Sequence, residues 1–266
     1  MKFSTKKLTL KISICLFFIL LISSCTTQNN SGRDVIELNI SAASSLTNAL
    51  YEIKNEFEKN NTDINLIYNF GASGTLASQI KQGAPIDVFF PANQQYMDEV
   101  VKLGLIESND IVNLLSNQIV LITKNDSDLY IDSLDELLDP KITSIAVGDP
   151  KVVPAGSYTK LLLKNLELWQ ELESKFIFST NVRQALNFAD TGNVDVAFVY
   201  KSDALQSNQS KIIYVADQTI SDSITYPIGI INDTKNKKLA ETFITFLQNE
   251  VSQNIFKEYG FLKLKQ

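Results

Sequence analysis

In 266 residues the chain has no histidine, one tryptophan, two methionines and two cysteines. Each scarcity removes chemistry. Without histidine, Ser-His-Asp and Cys-His catalysis are excluded, and so are ordinary zinc sites. The cysteines are Cys15 and Cys25, both near the start. No pair is left to staple the rest, so the fold must rest on its core alone. A chain of roughly this length can bury such a core as one large or two smaller domains. There is no Gly-x-Ser-x-Gly elbow, no Gly-Lys-Ser/Thr of the Walker type and no repeat of fixed period.

What is present begins with a targeting segment. Lys2, Lys6, Lys7 and Lys11 precede an apolar run, 12–22, too short to span a bilayer comfortably. The run ends Leu21-Ile22-Ser23-Ser24-Cys25, which resembles a bacterial lipobox. That resemblance implies a signal peptide over 1–24, a lipid on Cys25, and an exported protein anchored to the outer face of the cell membrane or held in the periplasm. A flexible tether follows over 25–33. Of 266 residues, removal of 24 leaves 242; without the four lysines, 20 basic side chains face 30 acidic ones, a formal charge of −10. That balance argues against nucleic acid and against electrostatic adhesion to anionic lipid. An anionic ligand would have to be held by local dipoles.

Strand-like apolar runs alternate with helical ones along the chain. Strands are expected at 35–40, 64–69, 87–90, 117–123, 144–148, 175–179, 195–200, 211–215 and 225–231. Helices are expected at 46–60, 74–82, 93–103, 133–139, 156–173 with a break, 181–190, 235–248 and 250–258. This alternation predicts an α/β fold with mainly parallel sheets. Pro227 suits an edge or crossing strand better than a sheet centre. The last two helices are too little for a domain of their own. The expected organisation is therefore domain I over 34–116 plus 223–266 and domain II over 117–222. Two crossing segments would form a hinge, with the site in the cleft at the strand carboxyl ends.

Four strand-to-helix junctions share one design. The first runs from strand 35–40 into Ser41-Ala42-Ala43-Ser44-Ser45. The second is Asn69-Phe70-Gly71-Ala72-Ser73-Gly74-Thr75. In the proposed second domain, Pro154-Ala155-Gly156 opens a helix, and Thr180 or Asn181 caps the helix that begins at Val182. A further strand ends at Tyr200, which brings a phenolic donor. Helix starts leave backbone N–H groups unpaired and carry partial positive charge. Small residues let an anion approach that backbone, and hydroxyls add donors. A single junction of this kind is more often a plain cap. Four at strand carboxyl ends argue for a shared cradle.

Ala43-Ser44-Ser45-Leu46-Thr47-Asn48-Ala49, Phe70-Gly71-Ala72-Ser73-Gly74-Thr75, Gly83-Ala84-Pro85-Ile86-Asp87-Val88-Phe89, Val153-Pro154-Ala155-Gly156, Val199-Tyr200-Lys201-Ser202-Asp203-Ala204 and Tyr226-Pro227-Ile228 together resemble the molybdate-binding proteins of bacterial ABC importers. The resemblance runs from about residue 35 to Phe261 and is specific in combination. It implies the type II two-domain periplasmic-binding-protein fold and a receptor for molybdate, and for tungstate, acting as a monomer with a membrane permease and its ATPase. It implies no cofactor, no metal ligands and no enzymatic activity. By motif position, the ligand contacts fall on Ser45 of the first junction and Ser73 of the second, on Ala155 and Val182 through backbone N–H, and on Tyr200 through its hydroxyl. The extra Ser44 departs from the commoner Ala-Ala-Ser-Leu form and stands as the alternative to Ser45. Such an all-donor site favours a fully deprotonated oxyanion, because a protonated one brings an O–H whose unmet burial costs roughly 1–3 kcal/mol.

Arg183 beside this set suggests an ion pair with an anion, but one residue into a helix its side chain is expected to point away. Two rival readings follow from the same residues. One is a receptor for sulfate or another oxyanion. The other is an extracytoplasmic enzyme using Asp87, Asp149 or Asp195 as acid or base, which is disfavoured because no acidic pair sits at the small-residue junctions.

Overall fold

A computed structural model describes residues 35–217 and 223–264. The signal segment, Cys25 and the tether lie outside the described residues. Eleven strands are described: β1 (Ile36–Ala43), β2 (Ile64–Gly71), β3 (Val88–Phe90), β4 (Ile106–Ser116), β5 (Ile119–Lys124), β6 (Ile145–Gly148), β7 (Phe176–Ser179), β8 (Val196–Tyr200), β9 (Ser210–Val215), β10 (Tyr226–Ile231) and β11 (Leu262–Lys263). The helices are α1 (Thr47–Asn60), α2 (Ser73–Lys81), α3 (Gln94–Lys102), α4 (Pro154–Asn165), α5 (Val182–Asp190), α6 (Lys201–Ala204), α7 (Lys237–Leu247) and α8 (Glu250–Glu258).

These strands form two sheets, ordered β11-β4-β10-β3-β1-β2 and β7-β6-β8-β5-β9. The chain passes from the first sheet to the second between Ser116 and Ile119, and returns between Val215 and Tyr226. We refer to the parts built on the two sheets as the first and second lobes.

Both sheets are mixed rather than mainly parallel. β1 pairs in parallel with β2 and β3, and β6 with β7 and β8, while every pairing of β4, β5 and β10 is antiparallel. The segments that carry the chain across, and the strands beside them, run against the βα units. β10 lies inside its sheet, between β4 and β3, not on an edge. Pro227 is tolerated there because the β10–β4 register shifts between Tyr226 and Pro227, and a bulge leaves room for a residue without an N–H. β4 has no counterpart among the expected strands over most of its length. Its Glu107-Ser108-Asn109 stretch is exposed and polar, which hides the strand signal that Ile106 and Leu114–Ser116 carry in burial.

Helix faces follow the usual arithmetic. α1 buries Ala49, Leu50, Ile53 and Phe57, one stripe at helical spacing. α5 buries Val182, Ala185, Leu186 and Ala189 behind an Asn181 cap whose side chain accepts the Gln184 N–H at 3.0 Å. The expected helix over 133–139 is a 3-10 turn, Leu134–Leu138, with a capping box of Ser133 and Glu136. The expected break in 156–173 falls just after α4, where Glu167 takes φ 62°. Every residue of β3 is buried: Val88 and Phe90 enter the main core and Phe89 a second one beneath α2 and α3.

One close approach fixes how α4 meets β6. A Cβ on Gly156 would lie 1.9 Å from the Gly148 carbonyl oxygen. Alanine is the better helix former by about 1 kcal/mol, but backbone overlap of this size outweighs it. Gly156→Ala is expected to destabilise the protein by about 1–3 kcal/mol, read as a lower midpoint in urea at unchanged slope.

Candidate functional site

The strand carboxyl ends of both sheets meet at one small cavity of about 10 Å³. From the first lobe it is lined by Ala43, Ser44 and Ser45 after β1, by Gly71, Ala72 and Ser73 after β2, and by Ala92 after β3. The second lobe contributes Val153, Pro154 and Ala155 at the start of α4, Val182 at the start of α5, and Tyr200 at the end of β8. All five residues singled out by motif position line it, as does the alternative, Ser44. Ala92 is a junction that the sequence reading passed over. Val88-Phe89-Phe90-Pro91-Ala92-Asn93 has the same pattern of strand, small residues and capped helix, with the Asn93 side chain accepting the Gln95 N–H at 2.7 Å.

Each position is fixed by local structure. Ser73 is the first residue of α2, and Val182 is the first of α5. Pro154 opens α4, where its missing N–H costs nothing, and places the Ala155 N–H in the first turn. These N–H groups precede the first intrahelical bonds and lie at the positive ends of their helices. The Ser73 hydroxyl accepts the Ala92 N–H at 3.0 Å, which leaves its own proton free to be donated. The Ser45 hydroxyl lies 3.0 Å from the Tyr226 hydroxyl. Tyr200 is buried, its hydroxyl 3.5 Å from the Ala92 carbonyl across the cleft. Burial first, then the neighbouring Tyr226, Tyr158 and Asp203, holds the Tyr200 pKa well above the ordinary phenol value. The phenol therefore stays protonated, a donor.

Among the described residues, no charged side chain lines the cavity. Arg183 turns to Asp203 instead, with Nε 2.7 Å from Oδ1. The contact is an ion pair without hydrogen-bond alignment, since the same two atoms have no hydrogen-bond partner. The three aspartates of the enzyme reading are engaged elsewhere. Asp87 accepts the Asn39 N–H at 2.7 Å and bonds to Thr234. Asp149 accepts the Lys151 N–H at 3.0 Å in a turn. Asp195 takes donors from the backbone and hydroxyls of Thr143 and Ser144.

The lobes touch beside the cavity. The Gly74 N–H donates to the Val152 carbonyl at 2.9 Å, and the Tyr96 hydroxyl to the Lys151 carbonyl at 3.0 Å. A Cβ on Gly74 would lie 2.8 Å from the Val152 Cα, so glycine is what allows this approach.

Residues 38–262 match the bacterial extracellular solute-binding proteins. The chain belongs to that family. Among the relatives of this solute-binding protein, YvgL of Bacillus subtilis (strain 168), provisionally assigned as an ABC transporter substrate-binding lipoprotein, is 38% identical across 91% of this chain and 93% of its own. The molybdate-binding protein ModA of Escherichia coli (strain K12) is 33% identical across 90% of this chain and 93% of its own. A solved Clostridium difficile substrate-binding domain, provisionally assigned to a molybdenum ABC transporter, is 39% identical and superposes with a TM-score of 0.68 over 86% of this chain and 99% of that one. The two mixed sheets of this solute-binding protein form the type II periplasmic-binding-protein fold.

Asp203 generates a pH dependence. It is wholly buried, and burial pushes its carboxyl up to about 6 against the downward pull of Arg183. The folded value lies above the ordinary 3.8, so between these two pH values the folded chain holds a proton that the unfolded chain has lost. Stability from this group is full below the lower value and is lost as pH rises through the upper one. Wild type should therefore gain stability relative to Asp203→Asn on going from pH 7 to pH 5, measured as the difference in denaturant midpoints.

Proposed function

We propose that this protein is an extracytoplasmic receptor that captures molybdate, and tungstate with it, for import by a membrane permease and its cytoplasmic ATPase. The observation that carries the reading is the donor set around one small cavity: two serine hydroxyls, one phenol held protonated, and the starts of three helices, with no charged group among them. Ser45, Ser73 and Tyr200 donate through their side chains, and Ala155 and Val182 through backbone N–H. The likeness to molybdate-binding relatives over nearly the whole chain supports the choice of anion.

The mechanism is capture between lobes. 34–116 with 223–266 acts as one domain and 117–222 as the other, and the two crossings act as the hinge. The first lobe offers Ser45 and Ser73; closure adds Ala155, Val182 and Tyr200. The ligand stabilises the closed form because it touches both lobes only there. The protein works as a monomer, tethered by a lipid on Cys25, and performs no chemistry on its cargo. An acid–base role has no candidate, because Asp87, Asp149 and Asp195 are bound up in structural hydrogen bonds.

The reading is tested by calorimetric titration and by melting curves with molybdate, tungstate, sulfate and phosphate side by side. Ser45→Ala and Ser73→Ala should each weaken molybdate about 10-fold, the worth of one charge-assisted hydrogen bond. Arg183→Ala should cost stability, by stranding buried Asp203, while leaving affinity within about 2-fold. Unchanged affinity in both serine variants would refute the site. Gly74→Ala should weaken molybdate at least about 10-fold, because the added methyl group meets the Val152 Cα at 2.8 Å across the closed cleft, and should also lower the unliganded melting temperature, because it meets the Tyr96 ring at 2.9 Å within the first lobe.

A further inference from the structure

Ser45 does not stand alone behind the cavity. Its hydroxyl oxygen lies 3.0 Å from the hydroxyl of Tyr226, and that hydroxyl in turn receives Asn117 Nδ2 at 3.1 Å. All three side chains are buried, Asn117 and Tyr226 completely. The orientation of the Asn117 amide is set by its other end. Oδ1 accepts the Gln118 N–H at 2.9 Å and faces the Ser202 N–H at 3.5 Å, so Nδ2 must point the other way. It donates to Ser202 Oγ at 2.8 Å and to Tyr226. Asn117 Nδ2 can only donate, so the Tyr226 oxygen accepts from it, and Ser45 Oγ at 3.0 Å stands to accept the Tyr226 proton.

A serine hydroxyl has one proton to give. If Tyr226 donates to Ser45, the Ser45 proton is turned into the cavity and its lone pair away from it. We infer that Asn117 and Tyr226 are positioning residues, a hydrogen-bond relay that compels Ser45 to act as a donor and so makes the cavity selective for anions without a proton. The two residues sit on the two crossings: Asn117 between β4 and β5, and Tyr226 at the first position of β10. The polarity of the site therefore depends on the crossings being correctly apposed. This inference rests on the oxyanion reading of the cavity.

Tyr226→Phe tests it. The ring keeps its packing against Tyr200 and Phe261, at centroid distances of 5.8 and 5.5 Å, so the fold should survive, as a melting curve will show. Ser45 is then free to rotate and offer its lone pair. Molybdate affinity should fall about 10-fold, the worth of one aligned hydrogen bond to a charged ligand. Hydrogen phosphate, whose O–H now finds an acceptor, should lose less or gain, so that the molybdate-to-phosphate affinity ratio narrows at least several-fold. A purely structural role predicts equal losses for both anions and would overturn the relay. So would a wild-type ratio in a folded variant. Should Tyr226→Phe fail to fold, Asn117→Asp replaces the donor by an acceptor of the same shape, and the same ratio is read. Failure of wild type to bind any of the oxyanions would instead reject the receptor reading, and the relay would fall with it.

Discussion

The unpaired N–H groups of a helix's first turn need a partner, and in this protein they are pointed at one place. β1, β2, β6 and β7 each end where a helical segment begins, and the two sheets face these ends toward each other. Buried backbone donors without an acceptor are costly. An oxyanion accepts from every direction, which suits the proposed guest to such a place. The small residues at the junctions follow from this demand: Ala43, Gly71, Ala72, Ala92 and Ala155 keep side chains out of the way of the backbone.

Magnitudes decide how an acidic protein can hold an anion. Each helix start acts as about half a positive charge, effective within the first turn. The protein's excess of carboxylates is spread over its surface, and at physiological salt a charge farther off than about 8 Å is largely screened. The near field therefore wins. It also explains why Arg183 is not needed as a ligand. A guanidinium in the cavity would hold any anion, whereas neutral donors in fixed positions demand the right geometry. Its pairing with Asp203 keeps the cation occupied one residue from Val182.

Much of this was legible in the sequence, and the reasons are specific. Strands β1, β2, β6, β7 and β8 carry compact apolar runs, and the helices after them have small or capping residues at their starts, so local signals agree. The five proposed contacts were found through motif position, and the fold brings them together because each lies at a strand end. β4 was hidden because four of its eleven residues are exposed and polar, held by antiparallel pairing to β10 and β11 that no local pattern records. β10 was expected at an edge or a crossing because of Pro227; the chain does re-enter the first lobe there, and only the bulge beside Pro227 makes its interior place in the sheet possible. Ala92 had the correct signature in too short a strand. Tyr226 stood in a family motif without a role and Asn117 had no signature, since their meaning arises from residues 109 apart in sequence meeting between the lobes.

The Gly74–Val152 hydrogen bond has a consequence for time as well as for affinity. It joins backbone to backbone across the cleft, and neither residue lines the cavity. Such a link exists only while the lobes are together, whatever is between them. Breaking it is a step that release must pass through and that capture by the open form need not. The latch would lengthen the dwell time of the guest without changing which guest is chosen. A transport partner that parts the lobes at this point would discharge the cargo without having to touch it.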